Sequence, residues 1–402
     1  FFVLLIHFTS RINFKFKNDS IMKKILLLLI ALQSSVLAEI NTNNYNWSDK
    51  NDNSWTWYYP LSINGFKYQI EAKGSQEFYK FKSNLKKDKN VVKELKNNNN
   101  TGLISYLLFE DNKIVIDESD IPDQIVDGLL PSHSMGKSLV SYVTGHAICE
   151  GYISNVDERL TGWNVIENTL YEDQILIDLL NMAAGDQEYI GNRSESNNDG
   201  QLVKGGTNAN PIPLKRIMAI DLQNSKKSKP IYNYSALTTH VIFNYVIHKA
   251  GNDWEKLLHK VFNEHIKVKN NIYFEKTPRG VGYKASARYS FFATRYDYLR
   301  IAKTMMDDWN SDTCIGQYLK TVYDRRILKN DNRKEPNDVN NYTKKYGGQF
   351  HFDIFGMEDR KIIGMAGFGG QNILIDVDNK KIIVINALFG NYDWKKIAYD
   401  KL

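Results

Sequence analysis

The pattern of apolar and polar positions predicts β-strands near both ends of the chain. Two apolar runs, at 103–109 and 113–116, are joined by a short polar turn, which is typical of a β-hairpin. Near the C-terminus, apolar runs at 361–363, 371–376 and 381–385 predict three further strands. Strands at both ends with helices between them indicate an α+β fold, in which an antiparallel sheet formed from both chain ends is flanked by helices.

The segment between these two groups of strands has a helical pattern. Residues 134–150 predict a helix that stops at Gly151, because apolar side chains recur along one side and a glycine follows. We expect a helical subdomain over about residues 150–290 and a last helix from Trp394 to Leu402.

The composition is that of a globular protein. Of 402 residues, 42% are hydrophobic and 24% are charged, which is enough for one large domain or two ordinary ones. The formal net charge is +6, but residues 1–38 alone hold five lysines or arginines against one aspartate. The rest of the chain is close to neutral, so its charge gives no reason to expect a nucleic-acid partner.

Residues 22–38 are typical of an export signal. Met22 precedes two lysines, an apolar run over 25–32 and a final Ala38, which together define a signal peptide at 22–38. Its apolar core is too short to span a bilayer, and no later run is long enough. We therefore expect a periplasmic or secreted protein without a transmembrane helix. Residues 1–21 precede the start methionine and are interpreted as upstream translation, the alternative being a longer leader.

Residues 39–101 are predicted to form an N-terminal extension and a linker ahead of the main domain, which spans 102–402. Five aromatic residues between Trp47 and Tyr59 either pin this extension to the domain or bind carbohydrate or peptide by stacking. An asparagine run at 97–100 predicts the linker.

The two cysteines, Cys149 and Cys314, are too few for a disulfide framework. An exported protein could pair them. Because Cys149 lies on the same predicted helix as Ser134, we expect it to be a buried free thiol.

Ser134-Met135-Gly136-Lys137 is a candidate nucleophile motif at the start of the predicted helix. A serine hydroxyl is a weak nucleophile near neutral pH, so a neighbouring group must accept its proton. Residues i and i+3 share one helix face, which directs Lys137 toward the Ser134 oxygen. The Ser134 N–H is one of the unpaired donors of the first helical turn and can stabilise an oxyanion. Alone, the tetrad has little specificity, since many chains contain it by chance.

The motifs around this tetrad occur in an order that resembles the β-lactamase-related serine hydrolases. The stretch 133–138 resembles the nucleophile motif of that family, 151–158 its G-x-I-x-x-x-D turn, 177–185 its LLxMxSG segment and 293–299 the start of its ATxxDLxR helix. The family includes class C β-lactamases, D-alanyl-D-alanine carboxypeptidases, esterases and 6-aminohexanoate-dimer hydrolases. The resemblance runs from about Gly102 to the end of the chain and implies a β-lactamase/transpeptidase-like fold.

The second catalytic element of the family is Tyr-x-Asn, whose tyrosine acts with the lysine as general base and acid. Tyr234 is preferred over Tyr232 for this role, because Gly251 then falls where the following helix ends in the family. A phenol, with an ordinary pKa near ~10, needs a cation beside it to act as a base, and Lys137 would supply that charge. Ala236 replaces the asparagine that often contacts a substrate carbonyl. The alternative for Tyr234 is a buried aromatic residue at a helix start.

The stretch 364–371 matches the Lys-Thr-Gly or His-x-Gly strand of the family. Met365 and Ala366 stand at its cationic and hydroxyl positions, so neither can hold the carboxylate of a β-lactam or a D-alanyl peptide. The resemblance implies that Phe368 donates the second N–H of an oxyanion hole, opposite Ser134. The alternative is a glycine-rich turn without a catalytic donor. These features are closer to the 6-aminohexanoate-dimer hydrolase and esterase branches than to β-lactamases.

Four further residues are considered for the site. Gly367 and Gly369 are substrate-binding candidates, since glycine allows a close approach of backbone to substrate. His351 lies where the family often has an aromatic lining residue. His133 either hydrogen-bonds near the site or is structural.

The histidines show no metal-ligand spacing and the chain has no phosphate-binding motif, so we expect no metal and no cofactor.

Together these observations predict a serine hydrolase that cleaves an ester or amide bond of a small-molecule substrate. Ser134 would attack the carbonyl, Lys137 and Tyr234 would move the protons, and the N–H groups of Ser134 and Phe368 would hold the oxyanion. Two alternatives stay open. One is a penicillin-binding D-alanyl-D-alanine peptidase or a β-lactamase, and the other is a non-catalytic binding protein on the same scaffold. The acyl group, the leaving group and the oligomeric state are not predicted.

Overall fold

The structure is a computed structural model that describes residues 69–97, 101–121, 128–190, 212–277, 279, 281–329, 337–388 and 390–402. These residues belong to one unit, Asn46–Leu402. The interpreted upstream segment, the predicted signal peptide and the aromatic-rich segment lie outside the described residues. Within the described ranges, no helix combines the length and the apolar character needed to cross a membrane.

Thirteen strands and nine α-helices are described. The strands are β1 (Gln69–Ala72), β2 (Lys82–Ser83), β3 (Leu103–Glu110), β4 (Lys113–Ser119), β5 (Leu130–Pro131), β6 (Ile272–Lys276), β7 (Ala287–Ala293), β8 (Ile327–Leu328), β9 (Thr343–Gly347), β10 (Phe350–Ile354), β11 (Ile362–Gly367), β12 (Gln371–Asp376) and β13 (Lys381–Ala387). The helices are α1 (Lys89–Lys96), α2 (Met135–Cys149), α3 (Leu176–Leu180), α4 (Leu214–Ile220), α5 (Ala236–Ala250), α6 (Trp254–Leu258), α7 (Arg295–Trp309), α8 (Cys314–Asp324) and α9 (Trp394–Ile397). The predicted C-terminal helix is shorter than expected, because a separate 3₁₀ turn at Tyr399–Lys401 follows α9.

Nine of the strands form one sheet that joins the two ends of the described chain. Their order is β2-β4-β3-β13-β12-β11-β10-β9-β8. β3 pairs with β4 as the predicted hairpin and with β13 on its other side. All pairings in this sheet are antiparallel except the short one between β2 and β4. The predicted α+β fold, with an antiparallel sheet from both chain ends, is therefore confirmed.

The central sheet carries apolar side chains on both faces, because successive residues of a strand point to opposite sides. In β3, Leu107 and Phe109 join the core that contains α2 and α7. Tyr106 and Leu108 join a second core, which includes residues of α1 and α9. Residues 135–147 of α2 are all buried, as expected for a helix enclosed on every side.

A second, four-stranded sheet with the order β1-β6-β7-β5 was not predicted. β6 and β7 lie at the end of the expected helical subdomain, and they pair antiparallel. β1 pairs with β6 although it belongs to the predicted N-terminal extension. The described part of that extension, 69–97, thus supplies strands to both sheets. The domain boundaries themselves stay predictions.

Cys149 and Cys314 form a disulfide, so the prediction of a free thiol at Cys149 is wrong. Cys149 ends α2 and Cys314 begins α8, and their Cα atoms are 5.7 Å apart. The helices come this close because α2 presents Gly145 to Ile315 and Tyr318, where a Cβ would lie within 2.8 Å of both side chains. This contact joins residues 165 positions apart, so the spacing of the cysteines could not reveal it.

Candidate active site

Ser134 lies in the turn that leads into α2. His133, just before it, has a φ angle of 47°, in the left-handed region that few residues other than glycine adopt. Ser132 fixes this turn to β7: its N–H donates to Phe291 O at 2.8 Å, and its Oγ accepts from the Phe291 N–H at 2.9 Å. Within the turn the Met135 N–H donates to Ser132 O and the Gly136 N–H donates to His133 O, both at 3.1 Å. The Ser134 N–H therefore stands at the helix end, among the donors that an oxyanion can use.

Lys137 donates a hydrogen bond to Ser134 across one turn of α2. The distance between Lys137 Nζ and Ser134 Oγ is 3.0 Å. The lysine is only 2% exposed, and its ammonium lies 4.7 Å from the ring centre of Tyr234 and 3.7 Å from that of Tyr289. The two aromatic rings thus contact the buried ammonium group.

The charge state of Lys137 follows from these neighbours. Burial by itself lowers the pKa of Lys137, but the phenols of Tyr234 and Tyr289 act in the opposite direction, and the net pKa is raised. Lys137 is therefore a cation at neutral pH. A cation beside a phenol favours the phenolate, which is the form that can accept a proton.

The segment after α3 holds Tyr234 in position. The Asn233 N–H donates to Met182 O at 2.7 Å, and Asn233 Nδ2 donates to Asp186 Oδ1 at 2.9 Å. Asp186 is fully buried and also accepts hydrogen bonds from two hydroxyl groups. Ser235, which follows Tyr234, caps α5. The tyrosine is thus carried on backbone that is fixed on both sides.

Tyr289 was not among the predicted site residues. It lies on β7, and a Cβ at Gly136 would stand 2.1 Å from its carbonyl oxygen, so α2 can pack here only through a glycine. Its ring stacks on His240 with 5.0 Å between ring centres. Burial, with the charges of Arg288 and Lys137, lowers the pKa of His240 well below its ordinary value, so the ring in this stack is neutral. No local motif marks Tyr289 in the sequence.

The turn between β11 and β12 approaches the nucleophile segment closely. A Cβ at Gly367 would lie 2.4 Å from Ser132 O, so the missing side chain permits this approach. Phe368 is 77% exposed, and its ring centre is 5.8 Å from that of His133. Phe368 lines the same cavity as Ser134. The two predicted oxyanion donors therefore border one space.

That cavity has a volume of about 250 Å³. Its described lining consists of Ser134, Tyr234, Asn337, Asp338, Asn340, Ala366, Gly367, Phe368, Gly369, Gly370 and Gly390. Cavities for drug-sized ligands typically measure roughly 300–1,000 Å³, so this one suits a small molecule. A larger cavity of about 690 Å³ lies between β1, β6, α5 and α6 and contains none of the predicted site residues.

The remaining predicted residues differ in their relation to this cavity. Met365 is fully buried in the core, whereas Ala366 and Gly369 line the cavity. His351 is 3% exposed, packs edge-on against Tyr346 and is not among the described lining residues. Burial and the Lys137 charge lower the pKa of His133 to about 4, so His133 is neutral at pH 7. Around Ser134 the structure brings together Lys137, Tyr234, Gly367, Phe368 and Gly369, but not His351.

In the described part of the chain, no three His, Cys, Asp or Glu side chains are grouped so that they could hold a metal ion. Of the predicted catalytic residues, Ser134 and Tyr234 line the cavity, and Lys137 contacts Ser134 from behind it.

A serine at the start of a helix and a lysine one turn later lie beside a tyrosine and the end of β11, an inner strand of a mostly antiparallel sheet, and this architecture is that of a β-lactamase/transpeptidase fold. Comparison with solved structures confirms this fold. The chain is similar to a candidate 6-aminohexanoate-dimer hydrolase from Bacillus anthracis, with 15% identity and a TM-score of 0.65, over 90% of this chain and 97% of that one.

Two further solved structures have the same fold. A candidate β-lactamase from Bacteroides dorei DSM 17855 is 13% identical, with a TM-score of 0.55, over 77% of this chain and 93% of that one. The octameric penicillin-binding protein homologue from Pyrococcus abyssi is 16% identical, with a TM-score of 0.50, over 77% and 74% of the two chains. No family model and no curated protein matches the sequence.

Proposed function

We propose that the protein is a serine hydrolase that cleaves an ester or amide bond of a small molecule through an acyl-enzyme on Ser134. The observation that carries this proposal is the 3.0 Å hydrogen bond from Lys137 Nζ to Ser134 Oγ, beside a cavity that Tyr234 also lines. The descriptions of two neighbours of the same fold as candidate hydrolases support it.

The mechanism follows from the position of each group. Ser134 Oγ attacks the carbonyl carbon while Tyr234, paired with the Lys137 cation, accepts the hydroxyl proton. The carbonyl oxygen becomes an oxyanion between the N–H groups of Ser134 and Phe368. When the intermediate collapses, the bond to the leaving group breaks and Tyr234 returns the proton to it. Water then attacks the acyl carbonyl while Tyr234 accepts one of its protons, the bond between the acyl carbon and Ser134 Oγ breaks, Tyr234 returns the proton to Oγ and the acid product leaves.

We also propose that the protein acts outside the cytoplasm, in the periplasm or as a secreted protein. The sequence at 22–38 has the features of a cleaved signal peptide. The disulfide between Cys149 and Cys314 supports the same proposal, because such bonds persist mainly in oxidising compartments.

A substrate panel on wild type and Ser134→Ala tests the proposed chemistry. We expect hydrolysis of p-nitrophenyl esters or small amides by wild type, and a loss of at least about 10³-fold in kcat for Ser134→Ala. A fluorophosphonate probe should label Ser134 in the folded protein. Ser154→Ala, on the exposed turn after α2, is the matched control and should keep wild-type activity.

The same panel separates the alternatives. Activity that survives in Ser134→Ala would contradict the mechanism. Nitrocefin hydrolysis or labelling by a fluorescent penicillin, without ester cleavage, would instead indicate a β-lactamase or a penicillin-binding peptidase. Folded protein with neither activity nor a probe adduct would indicate a binding protein.

A further inference from the structure

Asp186 is a buried carboxyl group on which three hydrogen-bond donors converge. It is fully buried, and its Oδ1 accepts a hydrogen bond from Asn233 Nδ2 at 2.9 Å. Its Oδ2 accepts from the Tyr171 hydroxyl at 3.0 Å and from Thr238 Oγ1 at 3.1 Å. A buried polar group is stable only when its hydrogen bonds are made inside the protein, so Asp186 and these three partners form one unit. Asp186 is not among the described residues that line the Ser134 cavity, so its effect on the chemistry passes through its partners.

Two of the three donors lie on either side of Tyr234 in the chain. Asn233 immediately precedes Tyr234, and Thr238 lies in the first turn of α5. Ser235 caps this turn, since its Oγ accepts from the Thr238 N–H at 3.3 Å. The stretch 233–238 is therefore attached to the same carboxyl group at both of its ends, with the phenol of Tyr234 between them.

The Asn233 side chain takes its orientation from the same contact. Its Nδ2 faces two acceptors, Asp186 Oδ1 and, at 3.3 Å, the Ile190 carbonyl oxygen, and only the nitrogen of an amide can donate to them. Its Oδ1 is buried and has no hydrogen-bond partner within the described residues. A buried oxygen without a partner is unfavourable, so the contacts at the nitrogen decide the orientation. Without Asp186, the residue next to Tyr234 loses the shorter of these two contacts.

The main chain around Asp186 is itself fixed. The Ser228 N–H donates to Gly185 O at 2.8 Å, and a Cβ at Gly185 would lie 2.4 Å from Ser228 O. The Asp186 carbonyl oxygen accepts from the N–H groups of Tyr189 and Ile190, at 2.9 and 2.8 Å. Asp186 therefore presents its carboxyl group from a defined position.

The phenol needs such support because its proposed task depends on distance. Tyr234 is 8% exposed, and its ring centre lies 4.7 Å from the Lys137 ammonium group. Proton transfer requires the two groups to be within hydrogen-bond reach, and a displacement of ~1 Å can cost about 10²-fold in rate. A small shift of the stretch 233–238 would move the phenol relative to both Lys137 and Ser134.

We propose that Asp186 is a positioning residue, which holds Tyr234 at the distance from Ser134 and Lys137 that proton transfer requires. It acts through Asn233 and Thr238 and does not line the cavity itself. The inference rests on the proposed function, because it concerns the general base of the same reaction.

Two variants that each lack one hydroxyl group test this inference in the full-length protein. Thr238→Val and Tyr171→Phe each remove a donor to Asp186 Oδ2 with little change of shape, but only Thr238 belongs to the stretch that carries Tyr234. For the p-nitrophenyl ester that wild type hydrolyses best, we expect Thr238→Val to lower kcat by about tenfold and to keep KM within roughly twofold. Tyr171→Phe should lose a similar amount of stability in urea titrations and keep kcat near that of wild type.

Substitution of Asp186 itself gives a second comparison. Asp186→Ala removes all three contacts and should lower kcat by about 10²-fold. Asp186→Asn can keep them, because its Oδ1 accepts from Asn233 and its amide nitrogen donates to the two hydroxyl groups, which accept as well as donate. Asp186→Asn should therefore retain most of the activity, and an Asn variant as slow as the Ala variant contradicts the inference. If Asp186→Ala does not fold, the comparison of Thr238→Val with Tyr171→Phe decides.

A double-mutant cycle measures whether the effect passes through the phenol. In a Tyr234→Phe background the group to be positioned is gone, so Thr238→Val should lower kcat further by less than about twofold. A residue that only supports the fold would instead lower kcat by the same factor in both backgrounds.

The outcomes separate the inference from the proposed function. Two results overturn the inference and leave Ser134-dependent hydrolysis standing: equal kcat for Thr238→Val and Tyr171→Phe, or an equally large Thr238→Val loss in the Tyr234→Phe background. If wild type hydrolyses no ester and takes no fluorophosphonate label, the proposed function fails and the inference fails with it.

Discussion

At the scale of single residues, Lys137 is the central group of the proposed site. Two phenols lie against its ammonium, but only Tyr234 also lines the cavity. Tyr289 lies behind the lysine and stacks on His240. We therefore assign proton transfer to Tyr234 and treat Tyr289 as a positioning residue that acts through Lys137.

Substitution of each phenol separately tests this division of roles. Tyr234→Phe should lower kcat by about 10²–10⁴-fold, the usual range for a general acid–base group. Tyr289→Phe keeps the ring against Lys137 and should cost about tenfold or less. Because the Tyr289 phenol helps to raise the pKa of Lys137, its loss should move the alkaline limb of the kcat/KM profile to lower pH.

Tyr283→Phe, which makes the same change outside the cavity lining, is the control for this pair. Should Tyr289→Phe abolish turnover while Tyr234→Phe retains it, the two roles are reversed. An alkaline limb that stays in place in Tyr289→Phe would show that this phenol does not act on Lys137.

The predicted and the unpredicted site residues differ in how they reach Ser134. Lys137 was predicted from helical spacing, and Tyr234 from the family resemblance and the position of Gly251. Tyr289 reaches the site through the register of β7, and Asp338 through a loop joined to a distant turn. Those two positions depend on tertiary packing, which no short segment of the sequence encodes.

At the scale of elements, the sequence predicted those with a strong local pattern. The β3–β4 hairpin and the C-terminal strands have continuous or alternating apolar positions. The helices α2 and α7 begin at residues that are typical of helix starts, such as Thr294, which caps α7. The small sheet was missed because β5 has only two residues and β1 pairs with a strand far away in the sequence, with Gln69 opposite Glu275. Such pairings are decided by packing against α5, which local propensity does not report.

The disulfide between α2 and α8 should contribute to stability rather than to chemistry. It closes a loop of 165 residues, and removing such a link typically costs roughly 2–5 kcal/mol. We expect Cys314→Ser to lower the free energy of unfolding by about this amount in guanidinium titrations. Its kcat at a temperature where it is folded should stay near that of wild type.

Reduction provides the control for the disulfide prediction. Wild type treated with dithiothreitol should unfold at the same denaturant concentration as Cys314→Ser, and reductant should not change the variant further. Equal stability of oxidised and reduced wild type would contradict the prediction.

At the scale of the whole molecule, buried neutral histidines make the fold sensitive to acid. Burial, with the Lys137 charge, lowers the pKa of His133 to about 4, and burial, with His265 and Lys260, lowers that of His146 to about 3. Unfolding exposes these rings, whose pKa then returns to about 6.5. Between pH 6.5 and pH 4 the unfolded chain therefore binds more protons than the folded one.

The free energy of unfolding should accordingly fall as pH decreases through this window, by up to ~1.4 kcal/mol per pH unit for each such histidine. Urea titrations at a series of pH values measure it. His146→Phe keeps a ring against Tyr142 and should flatten the slope, since His146 Nε2 has no hydrogen-bond partner within the described residues. His259→Phe, an exposed control, should leave the slope as it is, and an unchanged slope in His146→Phe would refute the assignment.

The pairing of β3 with β13 has a consequence for synthesis on the ribosome. Ser134 and Lys137 emerge early, but the glycine turn after β11 and the strand that closes the sheet emerge much later. Until then β3 presents an unpaired edge, which invites pairing with other chains. Contacts between such distant segments also slow folding. A nascent or truncated chain that lacks β11–β13 therefore contains the predicted nucleophile but not the predicted oxyanion turn, so under the proposed mechanism hydrolysis cannot begin before the C-terminal strands have joined the sheet.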